Sequence, residues 1–254
     1  MNYPKLPSFR LDNKNALITG AGRGIGMGAS IALAESGANV TLVSRTEKEL
    51  IDLTNHIKSQ GHNASYIVLD VNNEDEVINM INSCDPFDIL INNAGTNKPA
   101  KLVDTDLKDF DHVMSLNVRS VINLSKQVVS KMLINNKKGS IINVSSQMGH
   151  VGGPNRTTYC ASKFAIEGFT KSLSLELGPS GIRVNTICPT FIQTPMTEPF
   201  LKDDEFKTAT LGMIPLGRLG EVSDLMGGFV FLASDASSLM TGASLLIDGG
   251  WTAR

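Results

Sequence analysis

The sequence predicts an α/β protein: one doubly wound parallel sheet of about seven strands with helices on both faces. It forms a single domain over residues 14–254 behind an arm of residues 1–13. Three observations predict this. Short apolar runs alternate with segments of helical period from residue 16 to 247, and that alternation builds parallel sheets because each crossover lays a helix on a face. The first apolar run leads into a helix through Gly20-Ala21-Gly22-Arg23-Gly24-Ile25-Gly26, a turn whose glycines let backbone come close to a phosphate at a helix N-terminus. No repeat, low-complexity stretch or linker divides the 254 residues, a length that can bury one sizeable core.

Composition narrows the partners. Lys plus Arg number 23 against 25 for Asp plus Glu, a net charge of −2, so no basic field attracts nucleic acid or an anionic membrane. The longest strongly apolar run, residues 225–233, is too short to span a bilayer, and the opening residues carry no apolar signal region. A cytoplasmic protein acting on a small molecule is expected. Cys84, Cys160 and Cys188 are odd in number and scattered, which argues against a disulfide framework and for a reducing compartment. Cys160 reads as a small packed thiol. His56, His62, His112 and His150 make no metal-ligand spacing with one another or with cysteine, so no metal is expected.

Taken in order, residues 16–19 form a strand and 25–36 a helix, and 40–44 form the second strand, ending at Ser44 and Arg45. In a nucleotide-binding sheet those two residues face the adenosine ribose. An acid there accepts from a free 2′-hydroxyl; Ser44 and Arg45 instead suit a 2′-phosphate, with Arg23 able to approach the same place. Either arginine is equally compatible with a solvated surface position. A helix at 47–59 leads to a strand at 65–69 closed by Asp70 and Val71; taken alone, Asp70 reads as a solvated strand-end carboxylate. A helix at 74–83 and a strand at 87–91 run into Asn92-Asn93-Ala94-Gly95, where small residues admit a close ligand. A long helix at 109–134 places Val113, Leu116, Val121, Leu124 and Val128 on one face, interrupted by Asn117. A buried asparagine there is either bonded structurally or has a task. Strands at 140–145, 183–187 and 244–247 and helices at 159–177 and 222–233 complete the alternation.

Three residues can carry chemistry. Tyr159 and Lys163 stand four apart, on one helix face one turn apart. An ammonium beside the phenol favours the phenolate and lowers its pKa by roughly 1–3 units, making Tyr159 an acid/base. Ser146 follows a short buried strand, placing a hydroxyl where strand meets loop.

Ser146, Tyr159 thirteen residues on, and Lys163, behind Asn143-Val144-Ser145-Ser146, resemble the active-site signature of the short-chain dehydrogenases/reductases. The turn Thr19-Gly20-x-x-x-Gly24-x-Gly26, the Asn92-Asn93-Ala94-Gly95 run, Leu116-Asn117-Val118 and Asp248-Gly249-Gly250-Trp251 fall in the family's order, so the likeness spans nearly the whole chain. It implies a Rossmann-like fold and a nicotinamide cofactor bound by Gly20, Arg23, Gly24, Ile25, Gly26, Ser44, Arg45, Asp70, Val71, Asn93, Ala94, Gly95, Tyr159, Lys163, Pro189, Ile192 and Thr194. NADP(H) is favoured and NAD(H) compatible; Arg23 also occurs in relatives that use NAD, so Arg45 and the missing acid carry that preference. The resemblance gives Asn117 a water held against Lys163, Asp70 the adenine, and Ile192 and Thr194 the nicotinamide carboxamide. Thr190 departs from the family's glycine, leaving the local backbone open. The resemblance implies a substrate lid at about 190–213 and a homo-oligomer, a tetramer, built through the helices at 109–134 and 159–177 and the last strand.

The implied reaction interconverts a secondary alcohol and a ketone by hydride transfer. Gln147, His150, Asn155 and Arg156 give the substrate wall, to which Phe191 also belongs, a polar cast that points to a sugar, polyol or hydroxy acid, with Arg156 facing an anion. A 3-oxoacyl-thioester reductase is the alternative, and a non-catalytic dinucleotide-sensing protein the alternative of another class.

Overall fold

Alternation along the first strand divides the interior in two. Ala16 and Ile18 enter one apolar core and Leu17 the other, because successive side chains of a strand point to opposite faces. The structure, a computed structural model, describes residues 3–253. Its strands are β1 (Asn15–Thr19), β2 (Asn39–Ser44), β3 (Ala64–Val68), β4 (Ile89–Asn92), β5 (Gly139–Val144), β6 (Ile182–Pro189) and β7 (Ser244–Ile247). All pair in parallel, in the order β3-β2-β1-β4-β5-β6-β7. The seven-stranded doubly wound sheet predicted from the sequence is the one observed.

Helices α1 (Gly24–Glu35), α2 (Glu47–Ser59) and α9 (Val222–Ala233) place Leu33, Leu50 and Phe229 in the first core. Helices α3 (Glu74–Ser83), α5 (Ser120–Ile134) and α6 (Thr157–Leu177) place Val77, Leu124 and Leu177 in the second. With both faces covered, the central strands read as continuous apolar runs. Strand β2 lies on one side of β1 and β4 on the other, so the chain reverses direction across the sheet at β1, and a crevice opens beyond the carboxyl ends of β1 and β4.

Element ends shift by a residue or two from expectation, with one difference of substance. The predicted helix at 109–134 is α4 (Leu107–Met114), a π-helical turn (Ser115–Arg119) and α5. One extra residue per turn is tolerated where a side chain needs a special position, and Asn117 occupies it. The predicted lid carries α7 (Glu198–Leu201) and α8 (Asp204–Gly212). Of the predicted arm, Met1 and Asn2 lie outside the described residues. Residues 3–10 are exposed, whereas Leu11 is buried and its N–H donates to Ser36 O at 2.8 Å, so the arm is pinned at its end. Among the described residues no helix is long and apolar enough to cross a membrane.

Candidate active site

The crevice is built from its glycine turn upward. Gly20 and Gly24 have φ of +59° and +56°, a left-handed conformation that costs other residues energy. A Cβ at Gly26 would fall 2.2 Å from Gly20 O, so the helix can approach the turn only there. Helix α1 begins with no side-chain cap and no acid in its first turn, which leaves its N–H donors and positive dipole end for an anionic ligand. Across the crevice Asn93 Nδ2 donates to Thr19 O and Gly20 O, both at 3.0 Å, and Thr19 Oγ1 accepts from Asn93 N and Ala94 N. Asn93 therefore ties the end of β4 to the glycine turn. Every residue named for the cofactor lines this one cleft except Gly26, which lies beneath the turn.

At the far end, Arg23 and Arg45 are each paired. Arg45 Nη1 stands 3.6 Å from Asp70 Oδ2 and Arg23 Nη1 3.4 Å from Glu49 Oε1. Glu49 also lines the cleft and was not foreseen, although an acid in the first turn of the helix following β2 was a signal.

At the near end, Ser146, Tyr159 and Lys163 meet on the cleft wall. The predicted lowering of the Tyr159 pKa is overturned. The ring keeps partial exposure, but protein crowded around its hydroxyl pushes the phenol up to about 12, with Ser146 working in the opposite direction. Lys163 Nζ lies 5.5 Å from the Tyr159 ring centroid and donates to Val144 O at 2.9 Å. Burial draws its own pKa down to about 8, against the pull of Cys188 and Glu167. Desolvation, which resists charge on either group, is the largest cause of both shifts.

Asn117 is buried, with its side chain fully engaged. Its Oδ1 accepts from Thr96 N at 2.8 Å, and its Nδ2 donates to Thr96 O at 2.9 Å and Ser162 Oγ at 3.0 Å. None of these bonds reaches Lys163; they hold the loop after β4 against α6. Thr190 lacks the positive φ that would require glycine, and its hydroxyl is buried without a partner on the cleft wall. Thr194 packs against the glycine turn, within 3.4 Å of where a Gly24 Cβ would sit. Ile192 is buried and bridges Gly220.

The substrate-wall residues stand behind the cleft lining. Gln147 is buried and accepts from Ser146 Oγ at 2.6 Å. Arg156 is buried, unlike the usual loop arginine, with 6% of its surface exposed. Its guanidinium lies over the rings of Phe200 and Phe206, 5.3 and 5.9 Å from their centroids, and Nη1 donates to the Asn155 carbonyl at 3.2 Å. No carboxylate pairs with it among the described residues. Phe191 lies between Phe206 and Trp251, with ring centroids 5.6 and 5.7 Å away, so α8 packs on the end of β6 through aromatic contacts.

Spacing in the chain also hid a polar cluster behind Lys163, in which Glu167 and Cys188 are buried and His150 is exposed. Ligand-type atoms of His150, Glu167 and Cys188 all lie within 4.8 Å of one another. Hydrogen bonds centre on Glu167: its Oε2 accepts from Thr186 and Ser244, and Cys188 Sγ donates to Oε1 at 3.3 Å. Burial pushes the Cys188 thiol up to about 12, so it remains a donor.

A family model described as enoyl-(acyl carrier protein) reductase matches residues 20–252. Gluconate 5-dehydrogenase of Gluconobacter oxydans is 37% identical over 256 residues, covering 99% of each chain. The 3-oxoacyl-(acyl-carrier-protein) reductase of Thermotoga maritima is 38% identical over 246 residues, 95% of this chain and 99% of that protein. A solved gluconate 5-dehydrogenase from Burkholderia cenocepacia, in complex with NADP and tartrate, superposes with a TM-score of 0.94 at 33% identity over 98% of this chain and 99% of that one. This likeness reaches far beyond the glycine turn that many nucleotide binders share, and on it the chain belongs to the short-chain dehydrogenase/reductase family of oxidoreductases.

Proposed function

We propose that the protein interconverts a secondary alcohol and its ketone by hydride transfer with a nicotinamide dinucleotide, NADP(H) favoured and NAD(H) accepted, on a small polar substrate of the sugar, polyol or hydroxy-acid type. The observation that carries the reading is Ser146, Tyr159 and Lys163 on the wall of the same cleft that ends in the uncapped α1 turn.

The residues present fit such a cofactor: positive-φ glycines leave room where a Cβ would intrude, free N–H groups face an anion, and two arginines stand at the far end. Bound there, the dinucleotide supplies or accepts the hydride. Gly20, Gly24 and Ile25 would hold its phosphates, Ser44 and Arg45 its ribose end, and Ile192 and Thr194 its carboxamide.

In reduction, Ser146 and Tyr159 meet the carbonyl oxygen and Tyr159 gives it a proton as negative charge grows there. With its pKa at about 12, the phenol is held in the acid form. Lys163 then stabilises the phenolate left behind, and in oxidation that phenolate takes the alcohol proton. Asn117 supports the site by fixing the loop after β4.

Names of relatives support the substrate class: gluconate for the Gluconobacter enzyme, and a tartrate complex for the Burkholderia structure. The 38% identical thioester reductase keeps that alternative in the test. Phe110, Ile122 and Phe164 on the outer faces of α4, α5 and α6, and Leu246 on edge strand β7, are exposed apolar side chains. They support assembly of a homo-oligomer, a tetramer by family resemblance, through those elements. Three unpaired cysteines suit the cytoplasm.

The test follows reduced-nicotinamide absorbance across hydroxy acids, sugars, polyols, ketones and an acetoacetyl thioester, with wild type and Tyr159→Phe. The variant is expected to lose turnover by about 10²- to 10⁴-fold, the range for one acid/base group, while nucleotide Kd stays near wild type. Substantial residual turnover in Tyr159→Phe removes the assignment, and a preference for the thioester replaces the substrate class.

A further inference from the structure

Two carboxylates already occupy the two arginines that a 2′-phosphate would need. Arg23 faces Glu49 at 3.4 Å and Arg45 faces Asp70 at 3.6 Å, and all four residues line the cleft, so their charges cancel there. The partners are not equally mobile. The side chains of Arg23 and Arg45 are 68% and 66% exposed, whereas Glu49 is 31% exposed. Glu49 stands in the first turn of α2, pressed against the glycine turn: a Cβ at Gly22 would fall 2.8 Å from both its Cβ and its Oε2, and 3.4 Å from Ser44 Oγ. An arginine can swing out toward solvent, but this carboxylate stays where β2 and the glycine turn converge.

Strand β2 ends without an acid of its own, and Glu49 returns one to the same place from the helix. A fixed negative charge there acts on the two nucleotides in opposite senses. It repels a 2′-phosphate and competes with it for Arg23, and it offers an acceptor to a free 2′-hydroxyl. We propose that Glu49 is the residue that sets nucleotide choice in this protein, narrowing a preference for NADP(H) that Ser44, Arg23 and Arg45 would otherwise make steep. The proposal rests on the nicotinamide-cofactor reading above and adds the residue that tunes it.

The test measures binding, so it does not depend on turnover. NADP+ and NAD+ are titrated calorimetrically into the full-length wild type and into Glu49→Gln and Glu49→Ala, at about 50 and 500 mM salt to vary screening. Glu49 lies on the cleft rim, and circular dichroism checks that both variants fold. NADP+ is expected to bind each variant about tenfold more tightly than wild type, while NAD+ binds equally or several-fold more weakly, with the change in ratio shrinking at high salt. An unchanged NADP+ to NAD+ ratio, or one factor shared by both nucleotides, overturns the role of Glu49 and leaves the cofactor reading intact. Wild type that binds neither nucleotide sinks both.

Discussion

Ser146 Oγ donates its hydrogen to Gln147 Oε1 at 2.6 Å and accepts from Met148 N at 3.1 Å. The hydroxyl on the cleft wall therefore has its only proton engaged by a buried neighbour. To stabilise a growing oxyanion it must turn that proton from Gln147 to the substrate, which taxes the transition state and leaves the Gln147 carbonyl one bond short.

Gln147→Leu, which keeps bulk but removes the acceptor, frees the Ser146 proton. The expected outcome is a rise of about two- to tenfold in kcat/KM for reduction, the worth of one neutral hydrogen bond, with nucleotide affinity unchanged. Steady-state kinetics at saturating cofactor reads it. A fall in kcat/KM of similar size would show that Gln147 orients the hydroxyl rather than restraining it.

Lys163 links the site to stability. Its ammonium is buried and its pKa falls from the ordinary 10.5 to about 8, so between those values the unfolded chain binds a proton there that the folded chain does not. By linkage, stability from this group rises with pH across that window. Cys188 and Tyr159, both raised to about 12, act oppositely above their ordinary values of 9.0 and 10.0. Comparison with Lys163→Met isolates the lysine. At pH 7 the variant should be more stable by about 1–2 kcal/mol, the buried-charge cost less the lost bond to Val144. That gap should close between pH 8 and 10.5 while activity is lost throughout. Urea unfolding at several pH values measures it, and a gap that does not vary with pH contradicts the buried-charge account.

Arg156 carries a charge that burial disfavours, its pKa lying below the ordinary arginine value. The rings of Phe200 and Phe206 pack beside the guanidinium, and no carboxylate among the described residues balances its charge, so it suits an anion. Arg156→Ala should lower kcat/KM for hydroxy acids by about 10²-fold, as expected for losing a charged hydrogen bond, and change neutral polyols by less than about threefold. Matched acid and neutral substrates, assayed side by side, decide it. An equal loss on both classes would assign Arg156 to holding the lid.

What could be read from sequence was what local geometry dictates. Tyr159 and Lys163 share a face because a helix repeats every 3.6 residues, and β1 and β4 announce themselves because central strands covered on both faces are largely apolar. Glu49 beside Arg23 depends on how α2 docks onto the sheet, and His150 beside Cys188 on the pairing of β5 with β6, which no window of sequence contains. The pKa of Tyr159 was misjudged for a related reason. The nearby ammonium is visible at a spacing of four residues, whereas desolvation comes from residues distant in the chain. The burial of Arg156 was equally hidden, because its cover, Phe200 and Phe206, arrives from a segment more than forty positions later.

The π-helical turn at Ser115–Arg119 makes this stretch intolerant of shortening. Deleting one residue from it would let an unbroken α-helix form with α4 and α5 still in register, because the turn holds one residue more than an α-helical turn. What such healing would take is the position of Asn117, and with it the bonds to Thr96 and Ser162 that tie the loop after β4 to α6. A shorter, more regular chain at this point would be the worse protein.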